Sequence, residues 1–239
     1  MSKYSQLDSV QLLATLPHPC GYLPDREATT VFIDPQTPVD QRLYSQLSAL
    51  GFRRSGNYLY RPQCANCNAC VPARVPVSLF VPDRSQRRCW KRNRDLDVFH
   101  VDAIDTDEHY VLYARYIEER HREGEMYPPS REQFRDFLAP AWGSTRYIEF
   151  RARGRLVATA VTDLLTSGLS AIYTFFDPAE HRRSLGSYCI LYQIEWARRL
   201  GLPSLYLGYW IEECQKMAYK TQFQPVELLG QNRWRLKSR

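Results

Sequence analysis

Two spacings of apolar residues run along this chain and predict its elements. Val39, Leu43, Leu47 and Leu50 form a helical stripe that opens after Thr37-Pro38 and stops at Gly51. Residues 106–121 read as a longer helix, with Thr106 as N-cap and Asp107 and Glu108 in the first turn. Ser130 and Gln133 make a capping-box signature for a short helix ending near Leu138. Ile190, Leu191, Ile194 and Ala197 define a helix over 188–200, closed by Gly201-Leu202-Pro203, and a second helix-like segment covers 214–220. β-rich runs predict strands over 28–33, 57–61, 71–77, 147–151, 156–162, 169–176 and 204–210. Residues 7–16 read as an amphipathic lead-in, and the proline-rich stretch 17–24 fits neither helix nor central strand.

This order predicts an α+β protein in two lobes. A smaller lobe over residues 1–95 carries most of the cysteines, and a mixed sheet flanked by helices occupies 96–239. Function is expected to centre on the strand, loop, helix, strand and helix of 173–223. Its loop brings Arg183, Ser184 and Gly186 to a helix N-terminus, where free backbone N–H groups and the helix dipole suit a phosphate or another oxyanion. A single glycine in a strand-to-helix turn also arises for backbone reasons alone.

Composition narrows the class. The 239 residues are 44% hydrophobic and 24% charged, as in a soluble globular protein. No run of roughly 18 apolar residues suits a membrane span, and the N-terminal residues lack a secretory pattern, so a cytoplasmic protein is expected. The net charge of +6 is modest, but six of the eleven residues from 84 to 94 are basic. On a helix Arg84, Arg87, Arg88 and Lys91 share one face, with Arg92 beside them. Either that face is simply solvated, or it grips a phosphate backbone, where such contacts gain from counterion release. Seven cysteines, partly clustered as Cys64-Ala-Asn-Cys67-Asn-Ala-Cys70, argue against a disulfide framework. Two overlapping C-x-x-C spacings can gather thiolates around one ion, with Cys20 as the fourth ligand, giving zinc or an iron–sulfur cluster. The alternative is a set of free cysteines beneath a loop. Cys89, Cys189 and Cys214 fall in helical patterns and read as core or semi-buried residues.

Several motifs together resemble the aminoacyl-tRNA–protein transferase family, and within it the bacterial leucyl-transferring branch. They are Pro19-Cys20-Gly-Tyr-Leu-Pro24, the Cys64–Cys70 cluster, Arg84-Ser-Gln-Arg-Arg88, Arg183-Ser-Leu-Gly186-Ser-Tyr188, Leu207-Gly-Tyr-Trp-Ile211 and Lys216-Met-Ala-Tyr-Lys220, spread from about residue 10 to 235. The resemblance implies a C-terminal lobe of the GNAT acyltransferase type. It also implies transfer of leucine from leucyl-tRNA, or of arginine from arginyl-tRNA, to the α-amine of proteins beginning with Asp or Glu, which marks them as N-degrons. The eukaryotic arginyl relatives carry Cys-Gly-Tyr-Cys and a paired-cysteine motif that can hold zinc or an iron–sulfur cluster; here Leu23 replaces the second cysteine of the first motif.

The chemistry fits such a reaction without a required cofactor, because an aminoacyl ester is already activated. An acidic acceptor residue calls for Arg74, Arg183, Lys216 or Lys220. Tyr173, Tyr209 and Tyr219 are candidate donors to the reacting carbonyl, and Asp177 a group to orient the amine or take its proton. Core packing is the competing role for each tyrosine, and strand termination for Asp177. Two other functions use overlapping features. A CoA-dependent N-acetyltransferase would share the fold, although the bulky Tyr188 stands where its phosphate loop expects a small residue. A non-enzymatic zinc- and RNA-binding protein would use the cysteines and the basic helix, but leaves 173–220 without a purpose.

Overall fold

A four-stranded antiparallel sheet organises the first 62 residues. Its strands are β1 (Leu12–Ala14), β4 (Thr30–Ile33), β5 (Arg53–Ser55) and β6 (Tyr58–Pro62), in the order β1-β4-β6-β5, while β2 (His18–Pro19) and β3 (Glu27–Ala28) form a separate hairpin. The computed structural model describes residues 7, 10–124, 126–140 and 143–237. Residues 8 and 9 of the lead-in, and residues 1–6 on which the expectation of no secretory signal rests, lie outside them. Helix α1 (Gln41–Ala49) starts three residues later than its proline suggested, because the Asp40 carboxylate accepts from the Leu43 N–H at 2.7 Å and fixes the N-cap there. Leu43, Tyr44 and Leu47 of α1 cover one face of the sheet, meeting Ile33, Phe52 and Leu59. By strand alternation the opposite face carries Thr30, Phe32, Ser55, Tyr58 and Tyr60.

The remaining chain builds an eight-stranded mixed sheet flanked by helices. In chain order its elements are β7 (Val71–Pro76), α2 (Arg84–Arg92), β8 (Leu96–Val101), α3 (Asp107–Arg120), α4 (Arg131–Leu138), β9 (Thr145–Ala152), β10 (Arg155–Leu165) and β11 (Gly168–Phe176). They continue with α5 (Leu185–Arg199), β12 (Ser204–Trp210), α6 (Gln215–Ala218), β13 (Glu227–Gly230) and β14 (Arg233–Leu236). The strand order is β14-β13-β7-β12-β11-β10-β9-β8. Leu185, Cys189, Ile190 and Ile194 of α5 pack on one face, where Cys89 of α2 joins the same core. Leu112, Tyr113 and Ile117 of α3 and Phe134 and Leu138 of α4 cover the other face. Among the described residues no helix is long and apolar enough to cross a membrane.

The boundary expected at residue 95 does not fall at a break in packing. β7 lies between β12 and β13, and its Ala73 and Val75 are fully buried, as a central strand requires. Cys89 and Leu96 share a core with Leu185 and Ile194. A buried ion pair joins the small sheet to the large one: Arg54 on β5 meets Asp163 on β10 at 2.6 Å, both side chains wholly inaccessible. Tyr44 and Thr145 donate hydroxyl hydrogens to the same carboxylate at 2.7 and 2.6 Å, so the buried charge is fully hydrogen-bonded.

Candidate active site where two parallel strands part

Among the described strands β11 and β12 are the one parallel pair, and they stay paired only at Leu169–Leu205 and Ser170–Tyr206. Beyond that point both run on unpaired with each other, which opens a cleft toward their C-terminal ends, where ligands of open sheets commonly sit. Arg53 of the small sheet reaches into this gap. It donates to the carbonyl oxygen of Ala171 at 2.8 Å and to Ser170 Oγ at 3.3 Å, replacing partners that β12 no longer supplies. The crossing depends on Gly208, which has φ +81° at a bulge in β12; a Cβ there would lie 2.8 Å from Arg53 Cζ. Among the described residues no carboxylate pairs with Arg53, whereas Arg54, Arg74, Arg151, Arg155 and Arg183 all have one.

Aromatic and titrating side chains surround that charge. Tyr116 of α3 lies 4.8 Å from the Phe176 ring, 6.2 Å from Tyr173 and 5.0 Å from His121. The Tyr173 hydroxyl is buried without a hydrogen-bond partner, and burial, reinforced by Tyr116 and Tyr113, raises its pKa and keeps it a neutral donor. Burial pushes Tyr116 up to about 12, with Tyr219 as its next cause. Tyr219 opens a 3-10 helix, Tyr219–Gln222, that follows α6 and remains 40% exposed. Lys220 is next to it and only 5% exposed. Its ammonium donates to the Tyr209 carbonyl and lies 5.8 Å from the Tyr219 ring. Burial, then the charge of Arg53, brings its pKa down to about 7. His121 is also held below its ordinary value, by burial first and then by Lys216 and Arg120.

Several residues expected at the site are committed elsewhere. Arg74 pairs with Glu227 at 2.6 Å and lies over the Trp234 ring at 4.4 Å, tying β7 to the β13–β14 hairpin. Arg183 forks onto Asp95 with two bonds of 2.8 Å and also meets Glu180, which locks the 178–184 turn to the segment after α2. Asp177 is 2% exposed, pairs with Arg155 and with Arg115 at 3.4 Å, and accepts from the Ala179 N–H at 3.1 Å, so its carboxylate is committed to the turn that ends β11. Tyr209 is 3% exposed and its hydroxyl is committed, donating to the carbonyl oxygens of Gly51 at 2.9 Å and Tyr60 at 3.1 Å. Tyr209→Phe is expected to cost about 1–2 kcal/mol in urea unfolding while leaving catalysis by the folded protein within a fewfold. A thousandfold loss of turnover at unchanged stability would restore Tyr209 to the chemistry. Lys216 and Lys220 do not share a face, because α6 ends at Ala218 and leaves Lys216 exposed and Lys220 inside.

The glycine-bearing loop is also rearranged. Ser184 adopts φ +55° and offers its carbonyl to Cys89 and Tyr188, not its hydroxyl to a helix cap. Gly186 already belongs to α5, where a Cβ would come within 3.3 Å of Phe176. Tyr188 is 5% exposed and packs against Trp90 and Phe150 at 5.4 and 5.5 Å. It therefore faces the core and does not obstruct the loop. The C-terminal end of α2 is tied to this loop, since Asn93 donates to the Arg183 carbonyl at 2.8 Å and Arg92 to that of Arg182.

Cys20, Cys64, Cys67 and Cys70 do converge. Burial pushes the Cys70 thiol up to about 12, and the charges of Cys20, Cys64 and Cys67 add to it. Among the described residues, however, no three His, Cys, Asp or Glu side chains are arranged to hold a metal ion. The four thiols are neighbours and do not form a ligand set as they stand. On helix α2, Arg84, Arg87, Arg88, Lys91 and Arg92 are all exposed, and among the described residues none of them pairs with a carboxylate. Gln86, on the buried side of α2, donates to the Gln222 carbonyl at 2.9 Å, which packs that side of the helix on the 219–222 turn and leaves the basic residues toward solvent.

Neutral hydroxyl donors, one amine that titrates near 7 and a fixed positive charge can align an amine against an activated carbonyl, and the protein is by class a transferase. Residues 18–88 match the family described as arginine-tRNA-protein transferase, N terminus, and residues 108–230 match its C terminus. The chain belongs to the arginine-tRNA-protein transferase family. Proteins named aspartate/glutamate leucyltransferase are similar to it along almost their whole length. The one from Saccharophagus degradans is 58% identical over 231 residues, 96% of this chain and 98% of that protein. Those from Pseudomonas fluorescens and Pseudomonas syringae are 58% and 56% identical over 230 residues, again 96% of this chain and 98% of theirs. In fold, the chain is similar to the C-terminal domain of a nominal lysylphosphatidylglycerol synthetase from Agrobacterium fabrum. That likeness has a TM-score of 0.50 at 15% identity and covers 81% of this chain and 62% of that one.

Sequence reasoning did not find Arg53, Tyr116 or His121. The first sits in an Arg53-Arg54 pair whose members alternate between cleft and core, and only the partner strand distinguishes them.

Proposed function

We propose that this chain transfers leucine from leucyl-tRNA to the N-terminal α-amine of proteins beginning with Asp or Glu. The observation that carries this reading is the charge of Arg53, which among the described residues has no carboxylate partner where β11 and β12 part. An acceptor's acidic side chain supplies an anion, and a guanidinium donates to such a carboxylate through two parallel N–H···O bonds. That contact brings the α-amine near Lys220, which takes the ammonium proton because its own pKa lies near 7. The amine attacks the ester carbonyl, the hydroxyls of Tyr173 and Tyr219 donate to the developing oxyanion, and the ribose hydroxyl leaves with a proton. The parting of the two strands supports a GNAT-type site, and the exposed basic face of α2 supports a grip on the tRNA phosphates. No metal enters these steps. On this reading the product's new N-terminal leucine serves as an N-degron, and the need for charged tRNA supports a cytoplasmic reaction.

The direct assay supplies radiolabelled leucyl-tRNA, or arginyl-tRNA, with peptides beginning Asp, Glu, Lys or Ala. Label from leucyl-tRNA is expected on the first two alone, and failure to label either acidic peptide overturns the proposal. Reversing Arg84, Arg88 and Lys91 to Glu is expected to weaken tRNA binding by at least tenfold and to lower its log–log salt slope by about 3. An unchanged slope returns α2 to an ordinary solvated face.

A further inference from the structure

The outer face of the small sheet is not accounted for by the transfer chemistry. Thr30, Phe32, Ser55, Tyr58 and Tyr60 line a depression there of about 530 Å³, within the ~300–1,000 Å³ usual for small-molecule sites. Tyr58 is 54% exposed, and its ring meets Phe32 edge-on at 6.4 Å, so aromatic surface is offered to solvent at the tip of a hairpin. Strand register makes this face continuous with the cleft. Phe32 pairs with Tyr60 across β4 and β6, and Tyr60 with Arg53 across β6 and β5, so the three stand in one row on one face. The row ends at the guanidinium between β11 and β12. Tyr60 also lies 6.1 Å from the Tyr209 ring, and the Tyr209 carbonyl receives Lys220.

We infer that this face is a stacking platform for unpaired nucleobases at the 3′ end of the donor tRNA, adjoining the aminoacyl ester. An exposed aromatic ring, in a row of aromatics that leads to a guanidinium with no carboxylate partner among the described residues, is a usual surface for single-stranded nucleic acid, because every base has a π-face to stack. A leucine side chain suits the depression poorly, since it gains by enclosure and this surface lies open at Tyr58. The path is consistent with the grip on the helical part of the tRNA. The buried side of α2 holds Gln222, two residues from Lys220, so the basic face lies about one helix diameter (~10 Å) from that turn, and Lys220 joins the row through Tyr209. The inference rests on the donor being an aminoacyl-tRNA.

Binding of the free single-stranded trinucleotide cytidylyl-cytidylyl-adenosine, followed by calorimetry, tests the platform without requiring transfer. Tyr58→Ala is expected to weaken that binding by roughly tenfold. Tyr58→Trp is expected to retain it. In transfer assays Tyr58→Ala is expected to raise the KM for leucyl-tRNA by a similar factor without raising the KM for an Asp-initiated peptide. Tyr58 is half exposed on a hairpin, and an unchanged melting temperature checks that the fold survives. No binding of the trinucleotide to the wild type, equal binding to wild type and Tyr58→Ala, or a rise confined to the peptide KM would each overturn the inference. Leucine transfer by the wild type is read separately, so failure of the platform is distinct from failure of the proposed reaction.

Discussion

Lys220→Met is expected to abolish leucine transfer and at the same time raise the melting temperature. Folding buries this amine to 5% exposure and brings its pKa from 10.5 to about 7. Between those values the unfolded chain holds a proton that the folded chain has released. The unfolded state therefore binds more protons in that window, and stability rises with pH from about 7 to 10.5. Below pH 7 the whole cost of the buried amine is present, at most about 5 kcal/mol by the usual conversion. Methionine has similar length and no charge, but leaves the Tyr209 carbonyl without its donor, which costs about 1–3 kcal/mol. A net gain of up to about 2–4 kcal/mol remains near pH 7, and even 2 kcal/mol is worth roughly 4–8 °C in a chain of this size. Calorimetry at pH 6.5, 8 and 9.5 checks the sign, since the advantage of methionine must shrink as pH rises. Transfer by the variant is expected to fall by at least 10²-fold, the scale of a lost proton acceptor. Full activity in Lys220→Met would remove Lys220 from the mechanism, and a gain that does not vary with pH would show that the lysine is charged in the folded protein.

Arg53→Ala is expected to collapse the preference for acidic N-termini. Loss of a charge-assisted contact to the acceptor carboxylate costs about 2–4 kcal/mol, or roughly 30- to 1,000-fold in kcat/KM for an Asp-initiated peptide. An Asn-initiated peptide never made that contact and is expected to lose far less, so the Asp-to-Asn ratio is the diagnostic quantity. A second readout separates recognition from folding. The charge of Arg53 helps to lower the Lys220 pKa, and removing it must raise that pKa and move the rising limb of the pH–rate profile to higher pH. Arg53→Lys keeps the charge and is expected to hold the limb in place while weakening two-pronged recognition of the carboxylate. An Asp-to-Asn ratio that survives in Arg53→Ala would sink the assignment, whatever happens to overall activity.

The two strands and the turn that form the cleft were legible because their signals are local. Residues 169–176 and 204–210 are dense in β-branched and aromatic residues, and the helix between them carries a clear stripe and a glycine–proline stop. The basic face of α2 was legible for the same reason, being a matter of spacing on one helix. β8 and the β13–β14 hairpin were not found. β8 is an edge strand in which Asp97, Phe99 and His100 are exposed, so its apolar alternation is broken, and β13 and β14 are only four residues each.

Local pattern by itself determined the α+β class, the order of most elements, the cluster of basic residues and the family resemblance. All of these depend on residue type and on spacing within one stretch of chain. Tertiary structure decided which charged groups remain available. Arg74, Arg183 and Asp177 read as site residues in isolation, yet each meets its opposite charge from a distant or crossing segment: Glu227, Asp95 and Arg155. Arg53 reads as one more surface arginine until β5 places it across Gly208, in a gap that exists only because two parallel strands part. Lys216 and Lys220 are the same residue type four positions apart, yet the first stays exposed while burial, with the charge of Arg53, makes the second a base near neutral pH. Pairing and desolvation are set by what the fold brings alongside a side chain, and sequence spacing does not encode that.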